Sequence, residues 1–383
     1  MGHFIYLDNN ATTRPLPSVV EAVERLTREA YANPSSVHQF GQAVRHEVEL
    51  ARERVAKLVA AKPNEIVFTS GGTESINTAI HSALAEHPDR RHIVSTKVEH
   101  SAVLRVLERL AGQGYRVDLV GVDDQGRVDA NEWSDRITDQ TALATLMHVN
   151  NETGVILDTP ELARVAADRG VPVHVDVVQS LGKIPVPLGD WPVRYASMSG
   201  HKIHGPKGVG ALYVRRKTKA TPLIVGGTQE RLLRGGTENV PGIVGMGMAA
   251  MLLMEDPAVT GDKVGRLRDR LEAGVLRNVP FARVNGAGAR RVWNTTNISF
   301  EGLEAEAILL LLSEAGICAS SGSACSSGSL EPSHVLKAMG VEERWAHGAI
   351  RFSLSRFTTE EEIDRVVELL PKLLARLTSL RRG

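Results

Sequence analysis

Short apolar runs alternate with helical spacing through the first two thirds of the chain, and the alternation changes after about residue 257. Residues 65–69, 92–96, 116–120, 142–148, 171–175, 195–198 and 210–214 are such runs, rich in residues that suit a pleated strand. Many are followed by polar or glycine-rich residues and then a helix-like segment, such as 161–169, where apolar positions recur three and four apart. This alternation predicts an α/β fold, a mostly parallel sheet covered by helices on both faces. Farther on, helical patterns at 263–276, 304–315 and 359–380 flank strand patterns at 296–300 and 349–353, which predicts a smaller α+β lobe. Thr359 followed by Glu360, Glu361 and Glu362 reads as a capped helix start with acid in its first turn. The expected division is a large domain over 15–256 and a small C-terminal domain of 257–383 joined by 1–14.

Composition narrows the class. The 383 residues are 42% apolar and 23% charged, as in a globular enzyme. Lysine plus arginine equals aspartate plus glutamate at 45 each, so no global field favours direct binding of nucleic acid or an anionic membrane. Two cysteines exclude a disulfide framework and suit a reducing compartment. The segment Met1-Gly2-His3-Phe4-Ile5-Tyr6 lacks the basic-then-apolar pattern of a signal peptide, and no apolar run approaches the ~20 residues of a membrane helix. A cytoplasmic protein is expected.

Candidate chemistry falls at the carboxyl ends of the expected strands, where sheets of this class bind ligands. Thr69-Ser70-Gly71-Gly72-Thr73-Glu74 leaves a strand and opens a helix, where glycines and free amides favour a phosphate; alone it is equally an ordinary capped turn. Asp176 and Gln179 end an apolar strand, where a carboxylate is costly without a cationic partner such as a protonated ring nitrogen. Ser199-Gly200-His201-Lys202 ends another, and a lysine there can form a Schiff base with a carbonyl. Gly205-Pro206-Lys207 is no phosphate-binding P-loop, since Pro206 breaks the Gly-Lys pair and no hydroxyl residue follows. Together, an acid at one strand end and Ser-Gly-His-Lys at another point to pyridoxal phosphate chemistry.

The two cysteines differ. Cys325 lies in Ser320-Ser321-Gly322-Ser323-Ala324-Cys325-Ser326-Ser327-Gly328, too poor in bulky side chains to form a core, so it is expected on an exposed, mobile loop of about 318–333. A reachable thiol is an available nucleophile. Cys318 ends a helical pattern and reads as a small packed residue. His201 and His204 are the tightest histidine pair but have no acidic or cysteine ligand nearby, so no intrinsic metal site is expected.

Over nearly its whole length the chain resembles the cysteine desulfurases that supply sulfur for iron–sulfur clusters, within the class-V aminotransferase family of fold-type-I pyridoxal phosphate enzymes. The resembling motifs, in family order, begin with Tyr6-Leu7-Asp8-Asn9-Asn10-Ala11-Thr12-Thr13, Asn33-Pro34-Ser35-Ser36-Val37-His38 and Thr69-Ser70-Gly71-Gly72-Thr73-Glu74-Ser75. They continue with His148-Val149-Asn150-Asn151-Glu152-Thr153-Gly154, His174-Val175-Asp176 and Ser199-Gly200-His201-Lys202. Gly235-Gly236-Thr237-Glu238-Asn239, the Cys325 loop and Ile350-Arg351-Phe352-Ser353 complete the series.

The resemblance implies roles. Lys202 would bond the cofactor's aldehyde carbon and later take the substrate's α-proton. Asp176 would keep the ring nitrogen protonated, and His100 would stack on the ring and move protons. Gln179 would bond the ring's phenolic oxygen, with Asn151 near that oxygen and the substrate carboxylate. Gly72, Thr73, Ser199 and His201 would bind the phosphate, joined by Thr237 from the other subunit of a homodimer. Arg351, a charge inside the apolar strand pattern Ala349-Ile350-Arg351-Phe352, would clamp the substrate carboxylate.

The implied activity is conversion of L-cysteine to L-alanine, with the sulfur left as a persulfide on Cys325. Its acceptors would be iron–sulfur scaffolds or other sulfur-acceptor proteins. Cys325 could also ligate, transiently, a cluster shared with a scaffold. The alternatives are a selenocysteine lyase or another enzyme of the same family. An aminotransferase would not need the loop thiol. A non-catalytic scaffold is disfavoured because Lys202 and Asp176 are both present.

Overall fold

A computed structural model describes residues 4–255, 257–321 and 331–380, with side chains left out of account at 257–259 and 380. Among the described residues, seven strands form one sheet. Across it they run Ile66–Thr69, Gly210–Val214, Tyr195–Ser199, Val173–Asp176, Thr141–Met147, His92–Thr96 and Arg116–Val120. All neighbours are parallel except the two pairings of Gly210–Val214. The expected runs are all strands, displaced by one or two residues where a run continued into its flanking turn. Val173–Asp176, for instance, starts two residues later than its apolar run and ends on the acid.

Helices cover both faces, as the near-continuous apolar character of the strands requires. On one face the amphipathic helices Pro17–Glu29 and Gln39–Leu58 pack with Val240–Glu255 through Val19, Val44, Val48, Ile243 and Ala250. Val240–Glu255 is apolar on nearly every side because it lies between those helices and the sheet. Gly247 permits the approach, since a Cβ there would stand 2.5 Å from the Cα of Ala51. On the other face Gly72–Glu86 and Ser101–Ala111 bury Ile76, Ile80, Val103 and Leu107.

A second core gathers the later elements. Ala282–Val284, Thr295–Phe300 and Ala349–Ser353 form an antiparallel sheet, backed by helices Pro257–Asn278, Ala305–Glu314 and Glu360–Leu380. The helix expected at 263–276 starts at Pro257, since proline is tolerated in a helix's first turn. Thr359 and Glu362 bond each other's backbone N–H, the reciprocal cap expected for the last helix. The N-terminal strand Ile5–Tyr6 pairs in parallel with Ile317–Cys318, and Asp8 bridges to Ser353. The chain's start therefore lies against its end before crossing to the large sheet.

One buried ion pair ties the edge of the large sheet to the loop that precedes Thr237. Arg52 makes a two-pronged contact with Glu230, at 2.7 and 2.8 Å, and Glu230 also accepts from the N–H of Phe68. Their side chains are 4% and 3% exposed. Glu230, Arg231 and Leu232 have φ of 45°, 59° and 67°, a costly run for residues with side chains, so their surroundings must impose it. Glu230→Ala leaves the Arg52 charge buried without its main partner. It is expected to lower stability by about 3–5 kcal/mol, measured as the shift in the urea unfolding curve. An unchanged curve would mean that solvent reaches Arg52 freely.

Candidate active site

The carboxyl ends of the central strands open on a cavity of about 740 Å³ between the large sheet and Arg351 of the antiparallel sheet. Gly72, Thr73, His100, Asn151, Asp176, Gln179, Ser199, His201, Lys202 and Arg351 all line it. Ten residues chosen from six separate stretches of sequence thus meet in one place. Thr237 does not line this cavity and is exposed. Cys325 lies outside the described residues. Cys318 is half-buried in the strand beside Tyr6, where burial pushes its thiol pKa up.

At one end of the cavity, Gly72 and Thr73 begin the helix Gly72–Glu86, whose leading amides favour an anion. A Cβ on Gly72 would approach Val178 Cγ2 to 3.0 Å and Ser199 Cβ to 3.8 Å, so glycine keeps this corner open. His201 contacts Thr12 through Nδ1 at 3.2 Å. Desolvation, then the nearby Lys202 and Lys207, lowers its pKa to about 4, leaving it neutral.

Asp176 stands where Val173–Asp176 ends. Burial raises its pKa to about 6, against the opposing pull of a hydrogen bond from Val178 N–H and the charge of Lys202. Such an acid gains from a cationic neighbour in the cavity. Beneath it, His174 bridges Thr145 Oγ1 and Ser197 Oγ at 2.8 Å each, linking the three strands whose ends carry the site. Desolvation brings this imidazole's pKa to about 3, so it is an uncharged strut.

Lys202 closes the short turn Gly200–Lys202, and its ammonium donates to the carbonyls of Asn10 and Ala11. Asn10 is a hub that sequence reading placed in a motif but gave no role. Its backbone carbonyl accepts from Lys202 and from Gln179 Nε2, and its Oδ1 accepts from Lys183 and Asn294. Its Nδ2 donates to Thr295 Oγ1 and to the carbonyl of Asn151. The N-terminal segment thereby holds the lysine, the glutamine and the asparagine in one network.

Lys183 was likewise missed, since a lysine after Gly182 looks like a solvated charge. The residue is half-buried, and its ammonium binds Gln179 Oε1 at 2.8 Å and Asn10 Oδ1 at 3.2 Å. Desolvation, then the charges of Lys202 and Arg351, lowers its pKa to about 7.

Arg351 is 2% exposed and donates to Asp8 Oδ1 at 2.8 Å and to the carbonyl of Asn151 at 3.0 Å. Its Nε is buried with no hydrogen-bond partner, a donor in need of an acceptor. Nearby, Glu152 accepts from Ser333 Oγ, and burial holds its pKa above the usual carboxylate range.

His100 caps the helix Ser101–Ala111, its Nδ1 accepting from Ala102 N–H at 3.1 Å. Desolvation, then the charges of Lys202, His334 and Arg351, lowers its pKa to about 4. The neutral ring must carry its proton on Nε2, and is a hydrogen-bond donor there.

Glu99, just before His100, is fully buried and accepts from Thr96 Oγ1 and Met147 N–H. Burial, with a smaller contribution from Asp176, raises its pKa from 4.5 to about 8. The folded protein thus retains a proton that the unfolded chain loses between these values. The stability this contributes is full below the unfolded pKa and is lost as pH rises through the folded one. Glu99→Gln is expected to remove that loss. Relative to wild type, its stability should rise with pH by up to about 1.4 kcal/mol per unit across this window. Urea unfolding at several pH values measures the difference, and a constant difference would show that Glu99 ionises normally.

The aminotransferase class-V family matches this chain over residues 5–366. A cysteine desulfurase of Nostoc sp. (strain PCC 7120 / SAG 25.82 / UTEX 2576) is 52% identical over 376 residues, covering 98% of this chain and 94% of the relative. Among solved structures, a NifS-like protein superposes with a TM-score of 0.91 at 39% identity, covering 97% of this chain and 100% of the other. A structure titled "SspA in complex with cysteine" superposes with a TM-score of 0.83 at 32% identity, covering 93% and 100%.

Proposed function

Since this chain belongs to the class-V aminotransferase family and acts as a cysteine desulfurase, we propose that its cavity holds pyridoxal phosphate beside Lys202 and passes sulfur from L-cysteine to Cys325. The observation that carries this reading is the convergence on one cavity of a helix N-terminus, a buried acid, a lysine and an arginine with an orphaned N–H.

The donor set suits the cofactor end to end. Gly72, Thr73, Ser199 and His201 would take the phosphate. Asp176 would gain from a protonated ring nitrogen the cationic partner its burial calls for. Gln179, oriented by Lys183 and Asn10, has a second amide N–H for the phenolic oxygen. Bound there, the cofactor supplies an electron sink that weakens bonds at the substrate's α-carbon and eases C–S cleavage.

The chain's own groups do the rest. Arg351 orients the substrate carboxylate through its guanidinium, with Asn151 beside it. Lys202 accepts the α-proton, held on its bearing by Asn10 and Ala11. His100 presents Nε2–H to the cavity as a proton donor, and its ring supplies a face for the cofactor ring. Cys325 attacks the substrate sulfur and keeps it as a persulfide.

Thr237 is exposed and away from its own cavity, near Leu223, Ile224, Val225 and Leu232, which are 39–83% exposed. These features support a homodimer in which this loop reaches the partner's phosphate site. Iron–sulfur scaffolds and other sulfur-acceptor proteins would take the persulfide, in a reducing compartment such as the cytoplasm. Among the described residues no single helix is long and apolar enough to cross a membrane.

Cys325→Ala tests the sulfur step. With cysteine as substrate and a thiol reductant present, sulfide release is expected to fall by at least about 10²-fold, since the variant has no nucleophile to take the sulfur. Release at the wild-type rate would assign that step to another group.

A further inference from the structure

His334 opens the short helix His334–Ala338, and Ser333 before it caps that helix while donating to Glu152. The histidine is exposed at the rim of the cavity, on the side of Arg351, Glu152 and His100. Its Nε2 lies 2.9 Å from the carbonyl oxygen of Glu99. A carbonyl can only accept, so this nitrogen carries the proton and the neutral ring has a bare Nδ1.

His100 makes the opposite arrangement. Its Nδ1 is occupied by Ala102 N–H, so a neutral ring offers a donor to the cavity and no acceptor. The two imidazoles are close enough for His334 to influence the titration of His100. Two histidines of one tautomer thus present opposite faces, one an acid and one a base.

Sulfur transfer needs such a base. When a thiolate attacks the substrate's sulfur, an S–S bond forms and the C–S bond breaks. The electron pair of the C–S bond passes to the β-carbon, which is reduced while the two sulfurs reach the disulfide level. The proton of the substrate thiol remains on the transferred sulfur and must leave, while one proton must reach the β-carbon, so the two proton movements cancel.

Most other acceptors at the cavity are committed. Lys202 donates to two carbonyls and takes the α-proton, Asp176 serves the ring nitrogen, and His201 lies at the anion end. Glu152 accepts from Ser333 through one oxygen, while burial favours its protonated form. We propose that His334 is a catalytic residue whose Nδ1 accepts the proton of the substrate's thiol as sulfur moves to the enzyme. The proposal rests on the desulfurase reading of the cavity.

His334→Gln keeps an amide N–H for the Glu99 carbonyl but has no proton-accepting nitrogen. At neutral pH it should lower kcat for cysteine about 10²-fold, the lower end for loss of a general base. The groups facing the ring are His100, Glu152 and Arg351, with Glu99 through its backbone. All are kept in the variant. Its deficit should therefore close as pH rises past the thiol's own pKa of about 8.5, where the substrate needs no base. Selenocysteine, whose selenol is already ionised at neutral pH, should show a smaller deficit. In the purified wild-type protein, imidazole nitrogen NMR should show His334 with its proton on Nε2.

A deficit of equal size at every pH and with both substrates would make His334 a structural anchor and overturn the proposal, as would no deficit or a proton on Nδ1. Wild-type enzyme that makes no alanine from cysteine would instead overturn the reading of the cavity itself.

Discussion

Lys202→Ala is expected to lower alanine formation from cysteine by about 10⁴-fold or more, because it removes a covalent anchor and a proton acceptor together. The lysine closes the short turn Gly200–Lys202 that follows the strand Tyr195–Ser199, so its backbone is held close to the sheet. Its ammonium is fixed by two carbonyls of the crossing N-terminal segment. Alanine in its place leaves those carbonyls next to the cavity, where water can satisfy them, so the fold should survive. Two readings separate chemistry from folding. Unfolding by urea should remain cooperative, and borohydride should fix the cofactor to the Lys202 peptide in the native chain but to no peptide in the variant. Turnover within tenfold of wild type would move the catalytic amine elsewhere, and Lys183 would be the first candidate.

Asp176→Asn should be nearly as damaging, with alanine formation falling about 10²–10³-fold, as when one preorganised electrostatic group is lost. The substitution is close to isosteric and can keep the hydrogen bond from Val178 N–H. What it loses is charge. The native acid is held at about 6 by burial and draws stability from any cation placed beside it. An amide cannot hold a ring nitrogen protonated, so the electron sink should weaken while cysteine binding at Arg351 persists. The expected pattern is a fall in kcat with little change in KM. A rise in KM alone would mean that Asp176 serves binding and leaves the ring's electronics untouched.

Much of this site was legible because its residues break local rules. Asp176 and Lys202 put charge at the ends of apolar runs, and Arg351 sits within one, so each stood out against its neighbours. The strands themselves were visible because sheets covered on both faces leave nearly continuous apolar runs. Their ends shifted by a residue or two where an apolar run continued into a turn.

What stayed hidden depends on contacts between distant parts of the chain. Asn10 binds groups from Asn151 to Thr295, and nothing local marks that role. Lys183 looks like any surface lysine until Gln179 and Asn10 are seen around its ammonium. His334 is one of thirteen histidines, and its meaning comes from the Glu99 carbonyl more than two hundred residues earlier. Thr237 is exposed and outside its own cavity, so the phosphate contact proposed for it would lie between subunits, where nothing within one chain marks it.

The most direct measurement is a single-turnover reaction with cysteine, followed by intact-peptide mass spectrometry without reductant and by counting the alanine released. The expected result is one extra sulfur on the peptide that contains Cys325, in step with one alanine per active site, and none on the Cys318 peptide. Alanine released with no added sulfur at Cys325, or with sulfur on Cys318 instead, would contradict the assignment of the nucleophile and the path of the sulfur.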